Sequence, residues 1–247
     1  MKKLIIAASL GLLVPLMSMG QSTFGPGTIT TSLSQAGSPH NFSDQSWNPA
    51  VSVGTVYVSG QQICQPCHTP HNANLTVTAA PLWNHTLSTA TYTMFQNFGT
   101  GVAYQGLTAP DGTSALCLSC HDGSVALGSF GGQTGTATIG SGYTNNGVTA
   151  NSGANFGTDL RNDHPISIVY DTASANKGSS FRTLTTLYST FTSPGVYTAT
   201  TKAVSTKLDA NLKVQCTSCH SPHSNSRGYQ LTMNNNGSQL CLVCHIK

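Results

Sequence analysis

The sequence predicts a largely irregular chain with short helices at four repeated motifs and only a few short strands. Three observations lead to this fold class. A Cys-x-x-Cys-His unit occurs four times. The segments between the units are rich in Gly, Ser, Thr and Asn and mostly lack helical periodicity. Charged residues make up only 7% of the chain, against roughly 25% in ordinary soluble domains.

The four units account for every cysteine in the chain. Two thiols one helical turn apart can each add to a vinyl group of one porphyrin, and the histidine after the second cysteine then lies under the iron. This is the attachment sequence of a c-type haem. The sequence therefore predicts four covalently bound haem c groups. Their thioether residues are Cys64, Cys67, Cys117, Cys120, Cys216, Cys219, Cys241 and Cys244, and their proximal iron ligands are His68, His121, His220 and His245.

Three other uses of the cysteines explain less of the pattern. The spacing of the last two Cys-x-x-Cys pairs is near that of a zinc ribbon, but the first two pairs are much further apart and the histidine after every pair is left unexplained. A thioredoxin-like redox pair needs a βαβ context, which the sequence lacks. A disulfide framework gives no reason for four histidines at one offset. Covalent haem accounts for all four repeats.

The amino terminus has the pattern of a secretory signal peptide, residues 1–20. Two lysines precede an apolar run from Leu4 to Met17, and small residues at Ser18 and Gly20 fit a cleavage site. A membrane anchor is the alternative, but the run is short for a spanning helix and contains Pro15. We therefore expect an exported mature chain without a membrane span.

The charge of the exported chain excludes one class of partner. Without Lys2 and Lys3 it keeps eight basic residues against seven acidic ones, all of them aspartate. No basic patch of the kind that binds nucleic acid is present. With so few charges, little repulsion opposes the packing of one copy against another.

The mature chain is predicted to be a single tetrahaem domain made of two fused dihaem modules. Cys64–His71 and Cys216–His223 share the pattern Cys-x-x-Cys-His-x-Pro-His, and a further unit follows each of them. With about 57 residues per haem, the porphyrins rather than side chains should form the core. The predicted segments are an N-terminal arm (21–58) with a short strand at Val51–Val58, a first haem pair (59–127), a Gly/Thr/Ser-rich insertion with His164 (128–207), and a second haem pair (208–247).

Two stretches between the units have further predicted roles. Trp83, Tyr92, Met94, Phe95 and Phe98 form an aromatic cluster suited to walling a porphyrin. Residues 128–157 are expected to be a surface loop or an irregular hairpin.

Four irons need four distal ligands, and five histidines remain outside the motifs: His40, His71, His85, His164 and His223. His71 and His223 each follow a proximal histidine by three residues, a spacing that sets both side chains on one helical face. They cannot reach opposite sides of one iron, so each is predicted to ligate a haem of another unit. Met94 and Met233 could serve two haems at most.

His40 lies far from the first unit, in the polar N-terminal arm. Two roles are open for it. It ligates a haem of a neighbouring copy of the protein, or it is the one histidine that is not needed.

Four stretches resemble exported multihaem cytochromes c with doubled haem motifs: Ser38–Phe42, Cys64–Ala73, Ala80–His85 and Asn162–Pro165. Within that group, four haems in a chain of this size resemble the tetrahaem outer-surface cytochromes that polymerise into extracellular filaments (nanowires). The resemblance implies bis-histidine irons throughout and a histidine of one subunit ligating a haem of the next. It gives that role to His40.

Three functions follow from these features. The first is a homopolymer whose stacked haems conduct electrons outside the cell, with other multihaem cytochromes or extracellular acceptors as redox partners. The second is a monomeric tetrahaem carrier in the periplasm or at the cell surface. The third is a haem reductase. Catalysis needs an iron with an exchangeable position, and the histidine count leaves no iron short of a ligand, so we expect an electron-transfer protein rather than an enzyme.

Overall fold

The structure is a computed structural model, and the residues it describes are 39–42, 63–78, 80–96, 101, 103–136, 138–139, 144–145, 148–149, 154–170, 180–193 and 196–246. The predicted signal peptide, most of the arm and the predicted strand Val51–Val58 lie outside these residues.

Short helices mark the Cys-x-x-Cys-His units. Helix α1 spans Gly112–His121 and ends on the second unit, and helix α2 is Cys216–Cys219 in the third. The fourth unit forms a 3-10 helix, Cys241–Val243. At the first unit a turn closes with a hydrogen bond from the His68 amide to the Cys64 carbonyl, 2.8 Å long. Further 3-10 helices are Tyr104–Gly106, Val204–Lys207 and Asn236–Ser238.

The described strands form three two-stranded antiparallel sheets. Strands β1 (Thr144–Asn145) and β2 (Val148–Thr149) pair within the Gly-rich segment, and β3 (Ile168–Val169) pairs with β6 (Lys213–Val214). The longest sheet is a hairpin of β4 (Leu187–Ser193) and β5 (Val196–Ala203). The described chain is thus mostly coil with a few short helices and small sheets, which confirms that part of the predicted fold class.

The β4–β5 hairpin is the largest element that the sequence interpretation missed. The segment lies in the Gly/Thr/Ser-rich insertion, and Thr and Ser are common in loops. Threonine is also β-branched and favours strands, as do the Tyr, Phe and Val residues interspersed with it. The Pro194-Gly195 dipeptide between the strands is a common turn sequence.

Two small apolar clusters lie among the described residues. Met94, Leu118 and Leu160 form one, in which Leu118 comes from α1. The other links strands β3 and β6 to the fourth unit. There the Tyr170 hydroxyl donates to the carbonyls of Arg182 (2.7 Å) and Cys244 (3.0 Å). The buried members of this second cluster are Tyr104, Ile168, Tyr170, Val204, Val214, Met233, Leu240 and Val243.

A buried hydrogen-bond network joins α1 to α2, and so the second unit to the third. The Ser114 hydroxyl donates to Gln215 Oε1 at 2.5 Å, and the Cys216 amide donates back to Ser114 Oγ at 3.0 Å. Gln215 Nε2 donates to the carboxylates of Asp111 (3.0 Å) and Asp209 (2.9 Å). Gly112 starts α1 with a φ of +54°, and a Cβ there would meet Gln215 Nε2 at 2.7 Å. The positive φ and the nearby Gln215 side chain both favour glycine at this position.

None of the described helices is long and apolar enough to cross a membrane.

Candidate haem-binding site

The first and third units fold into the same loop. In each, one backbone hydrogen bond closes the motif and two more join it to a segment further along the chain, at matching positions and 2.6–2.9 Å long. Leu82 and Gln230 occupy equivalent positions and both have a positive φ, 58° and 52°. The sequence repeat therefore extends to the three-dimensional loop. The donor and acceptor residues are His68 to Cys64, Thr69 to Leu82 and Asn84 to Cys67 in the first unit, and His220 to Cys216, Ser221 to Gln230 and Thr232 to Cys219 in the third.

Three proximal histidines are oriented by a backbone carbonyl. Nδ1 lies 2.9 Å from Pro81 O in His68, 2.7 Å from Ala154 O in His121, and 2.9 Å from Tyr229 O in His220. A carbonyl only accepts, so each Nδ1 carries the proton and Nε2 keeps its lone pair. This is the arrangement that orients a metal-ligating histidine.

A residue from outside the motif lies beside each proximal histidine. Isolated β-bridges join His68 to Trp83, His220 to Leu231 and His245 to Phe181. Trp83 meets His68 edge-on, with ring centres 6.3 Å apart, and Phe181 lies 4.7 Å from His245. The Phe156 amide donates to the His121 carbonyl at 2.8 Å, and the two rings are 6.1 Å apart.

The predicted aromatic cluster is only partly at the site. Among the described residues of that cluster, Trp83 contacts a proximal histidine, whereas Tyr92 donates to Asp122 and Phe95 packs on Tyr104. Phe98 lies outside the described residues. Sequence reasoning missed Phe156 and Phe181; the pattern that could have found them is an isolated aromatic residue in an otherwise polar segment.

Three proximal histidines each face a histidine from another part of the chain. The ring centres are 6.2 Å apart in His68–His223, 6.1 Å in His121–His40 and 6.2 Å in His245–His164. Two imidazoles on opposite sides of one metal ion, each with a metal–nitrogen bond of about 2 Å, have centres about 6 Å apart. The ring separation in all three pairs matches this distance.

Two of these distal candidates also use Nδ1 to bind a carbonyl. His40 Nδ1 lies 3.2 Å from Pro222 O, and His164 Nδ1 lies 3.1 Å from Pro165 O. Burial, together with the nearby His121, lowers the pKa of His40 to about 4. His40 is therefore neutral near pH 7, and a neutral imidazole is the form that binds metal.

The remaining two candidates differ in their surroundings. His71 is exposed, and in the described part of the chain no histidine ring lies at the paired distance from it or from His220. His85 is only 2% exposed. Its Nδ1 lies 2.9 Å from Thr86 O and its Nε2 3.2 Å from Leu127 O. Burial lowers the pKa of His85.

No disulfide joins the eight cysteines, all of which lie in the described residues, and their mutual influence shows which units are neighbours. A hydrogen bond between Cys117 and Cys216 lowers the pKa of Cys216 to about 7 and joins the second unit to the third. Burial raises the pKa of Cys120, and the nearby Cys67 of the first unit adds to this. Burial likewise raises the pKa of Cys219, with a contribution from Cys241 of the fourth unit. Consecutive units therefore lie side by side.

One orphaned polar atom tests whether the site fits a porphyrin. Trp83 is 7% exposed, and its Nε1 has no hydrogen-bond partner among the described residues. An indole N–H can only donate, and a buried donor without an acceptor is costly. The propionate carboxylates of a haem beside His68 are acceptors of the kind that Trp83 lacks, so the residues present fit the cofactor.

A buried carboxylate follows the second proximal histidine. Asp122 is 5% exposed and accepts hydrogen bonds from the hydroxyls of Ser88 (2.5 Å) and Tyr92 (2.5 Å) and from the Ser124 amide (2.7 Å). Burial alone would raise the pKa of Asp122, but these hydrogen bonds outweigh it and lower the pKa. The second unit therefore carries a fixed negative charge next to His121.

The second pair of units matches a known protein family model. The family model described as a doubled CXXCH motif covers residues 210–247. No curated protein matches the chain. The match supports a multihaem c-type cytochrome, with haem bound covalently through the Cys-x-x-Cys-His motifs.

Proposed function

We propose that this chain is an exported tetrahaem c-type cytochrome whose four irons are all bis-histidine and which polymerises into a filament that carries electrons outside the cell. The observation that carries the proposal is the set of three histidine pairs with ring centres 6.1–6.2 Å apart. Each pair joins a motif histidine to a histidine elsewhere in the sequence. The two apolar clusters are small, so the porphyrins would supply most of the hydrophobic core.

Haem iron supplies one-electron redox chemistry. The chain's own residues would hold neutral imidazoles on both sides of each iron, so that no exchangeable position is left for a substrate. The side-by-side order of the four units supports a continuous path, because electron transfer between haems requires closely spaced porphyrins. These features favour a carrier over a reductase.

The proposed link between copies is His40. Its ring is set between His121, the Pro222 carbonyl and Phe42, whose ring centre is 5.4 Å from that of His40. The 24 residues from His40 to Cys64 could span up to about 80 Å when extended. The site that holds the His40 ring can therefore bind the arm of a neighbouring copy instead, as in domain swapping. A low surface charge supports such packing.

A monomeric periplasmic or cell-surface carrier is the second candidate. His40 faces His121 of its own chain, and this observation favours the second candidate. The iron bound by His121 would then have both its histidine ligands without a neighbouring copy. Both candidates need the same ligands, so only the state of assembly separates them.

The test is electron microscopy of material sheared from expressing cells, with size exclusion and haem spectra of the secreted protein. We expect thin filaments with haem absorbance for the wild type. His40→Ala should give unassembled protein with one high-spin haem, and Pro39→Ala, which changes an exposed neighbour, should still assemble. A homogeneous wild-type monomer with four low-spin haems would eliminate the filament and leave the soluble carrier.

A further inference from the structure

We propose that His71 is the second ligand of the iron bound by His220, and that His85 ligates no iron. The inference rests on the bis-histidine tetrahaem function proposed above. His220 is the one proximal histidine that no other histidine ring faces among the described residues, and the proposal gives its iron a second ligand. It also identifies which of the five candidate histidines is not needed as a ligand.

The first argument is the structural repeat of the first and third units. Their loops share three backbone hydrogen bonds, a positive φ at the equivalent residues Leu82 and Gln230, and an Nδ1–carbonyl bond of 2.9 Å at His68 and His220. In both loops a proline precedes a second histidine, His71 or His223. Equivalent loops present equivalent side chains.

The second argument is reciprocity. His223 of the third unit faces His68 of the first, with ring centres 6.2 Å apart. Our proposal extends this contact to the repeat: if the two equivalent loops pack about an approximate two-fold axis, His71 would face His220 as His223 faces His68.

The third argument is that His71 is available. It is exposed, and its backbone is fixed from both sides by Thr69: the Thr69 hydroxyl donates to the His71 carbonyl at 2.9 Å, and the His71 amide lies 3.4 Å from Thr69 Oγ1. Within the described residues, its ring nitrogens have no hydrogen-bond partner. Binding an iron would therefore cost the His71 ring no hydrogen bond to the described residues.

His85 lacks this freedom. Its ring is buried, both nitrogens face carbonyls, and a β-bridge joins it to Phe130. Its nearest haem-binding group is Cys120 Sγ of the second unit, 3.4 Å from Nε2. The proximal histidine of that unit, His121, already faces His40. His85 therefore supports the loop around the second unit instead of binding its iron.

The test compares His71→Ala and His85→Ala in the full-length holoprotein, with His223→Ala as the matched control from the equivalent position. The readouts are the haem count from the pyridine haemochrome assay, the high-spin ferric EPR signal and carbon monoxide binding. We expect four haems per chain in every variant. One of them should turn high-spin and bind carbon monoxide in His71→Ala and in His223→Ala, two should do so in the double variant, and none in His85→Ala. Added imidazole should restore the low-spin state.

A second variant assigns the affected haem. Replacing Cys216 and Cys219 by alanine removes the third haem, and His71→Ala in that background should then create no high-spin haem. A high-spin haem that persists there would overturn the assignment to His220. All-low-spin His71→Ala, or a high-spin haem in His85→Ala, would overturn the proposal itself. A high-spin haem already present in the wild type would instead count against the bis-histidine function.

Discussion

The ring centres of His68 and His223 lie 6.2 Å apart, although the two residues belong to the first and third Cys-x-x-Cys-His units. An iron held between them would connect the two halves of the chain as firmly as a cross-link. The other facing pairs differ from this one in the angle between the rings, and that angle has a spectroscopic consequence.

We predict that the haem of His164 and His245 has a distinct EPR spectrum. Their ring planes are 83° apart, against 36° for His68–His223 and 48° for His121–His40. Perpendicular imidazole planes keep two iron d orbitals nearly equal in energy, which moves the largest g value to low field. Low-temperature EPR of the oxidised protein should show one such low-field feature, and His164→Ala should remove it. Loss of that feature in His40→Ala would contradict the assignment.

Gln215→Ala should destabilise the protein. The Gln215 side chain is 1% exposed and binds Ser114, Asp111 and Asp209. Each buried group left without its partner costs about 1–3 kcal/mol, so the free energy of unfolding should fall by about that amount or more. Guanidinium denaturation followed by circular dichroism measures it. Gln239→Ala is the matched control, because Gln239 is exposed, and it should change the free energy little.

Asp122→Asn should raise the reduction potential of one haem. The buried carboxylate directly follows His121, and a negative charge stabilises the oxidised iron. Removing it should shift that potential upwards by tens of millivolts, on the order of 1 kcal/mol. Asp159→Asn is the control, since Asp159 forms an exposed ion pair with Arg161 that solvent screens. Spectroelectrochemical titration would resolve the shift, and an unchanged set of potentials in Asp122→Asn would contradict the expectation.

The same carboxylate should make stability depend on acid pH. Burial tends to raise the pKa of Asp122, but hydrogen bonds from Ser88, Tyr92 and Ser124 outweigh it and hold the pKa below its usual range. The stabilisation is thus fully present when the pH is above the pKa of the carboxyl in the unfolded chain, about 3.9. It is lost as the pH falls through the lower pKa of the folded protein. Chemical denaturation at a series of pH values should show this decline. Asp122→Asn should flatten it, and an equally steep decline in the variant would assign it to other groups.

The local structure at the motifs followed from the sequence because covalent attachment restricts it. Two thiols that reach one porphyrin must stand about one helical turn apart, and the structure has helical turns at the units, as in Cys216–Cys219. The three-residue spacing also predicted that His71 and His223 serve other units. The position of His223 opposite His68 is the arrangement this prediction requires, and ligation itself stays a prediction.

Which loops meet in space could not be predicted from spacing. The distance between His245 and His164, or between His68 and Trp83, depends on how segments far apart in sequence pack. Phe156 and Phe181 stand out as isolated aromatic residues in polar stretches, but no spacing in the sequence indicates that they lie beside His121 and His245. The hairpin Leu187–Ser193 with Val196–Ala203 was missed because threonine suits both loops and strands.

The facing of His68 by His223 also bears on how such a chain could arise by duplication. A protein with a single Cys-x-x-Cys-His-x-Pro-His loop would have no second loop to face, and would gain one only by associating with another copy of itself. In the present chain both loops belong to one polypeptide, so each loop has the other as a partner within the same molecule. Because the two loops are joined covalently, their contact does not depend on protein concentration, as it would in a dimer of single modules.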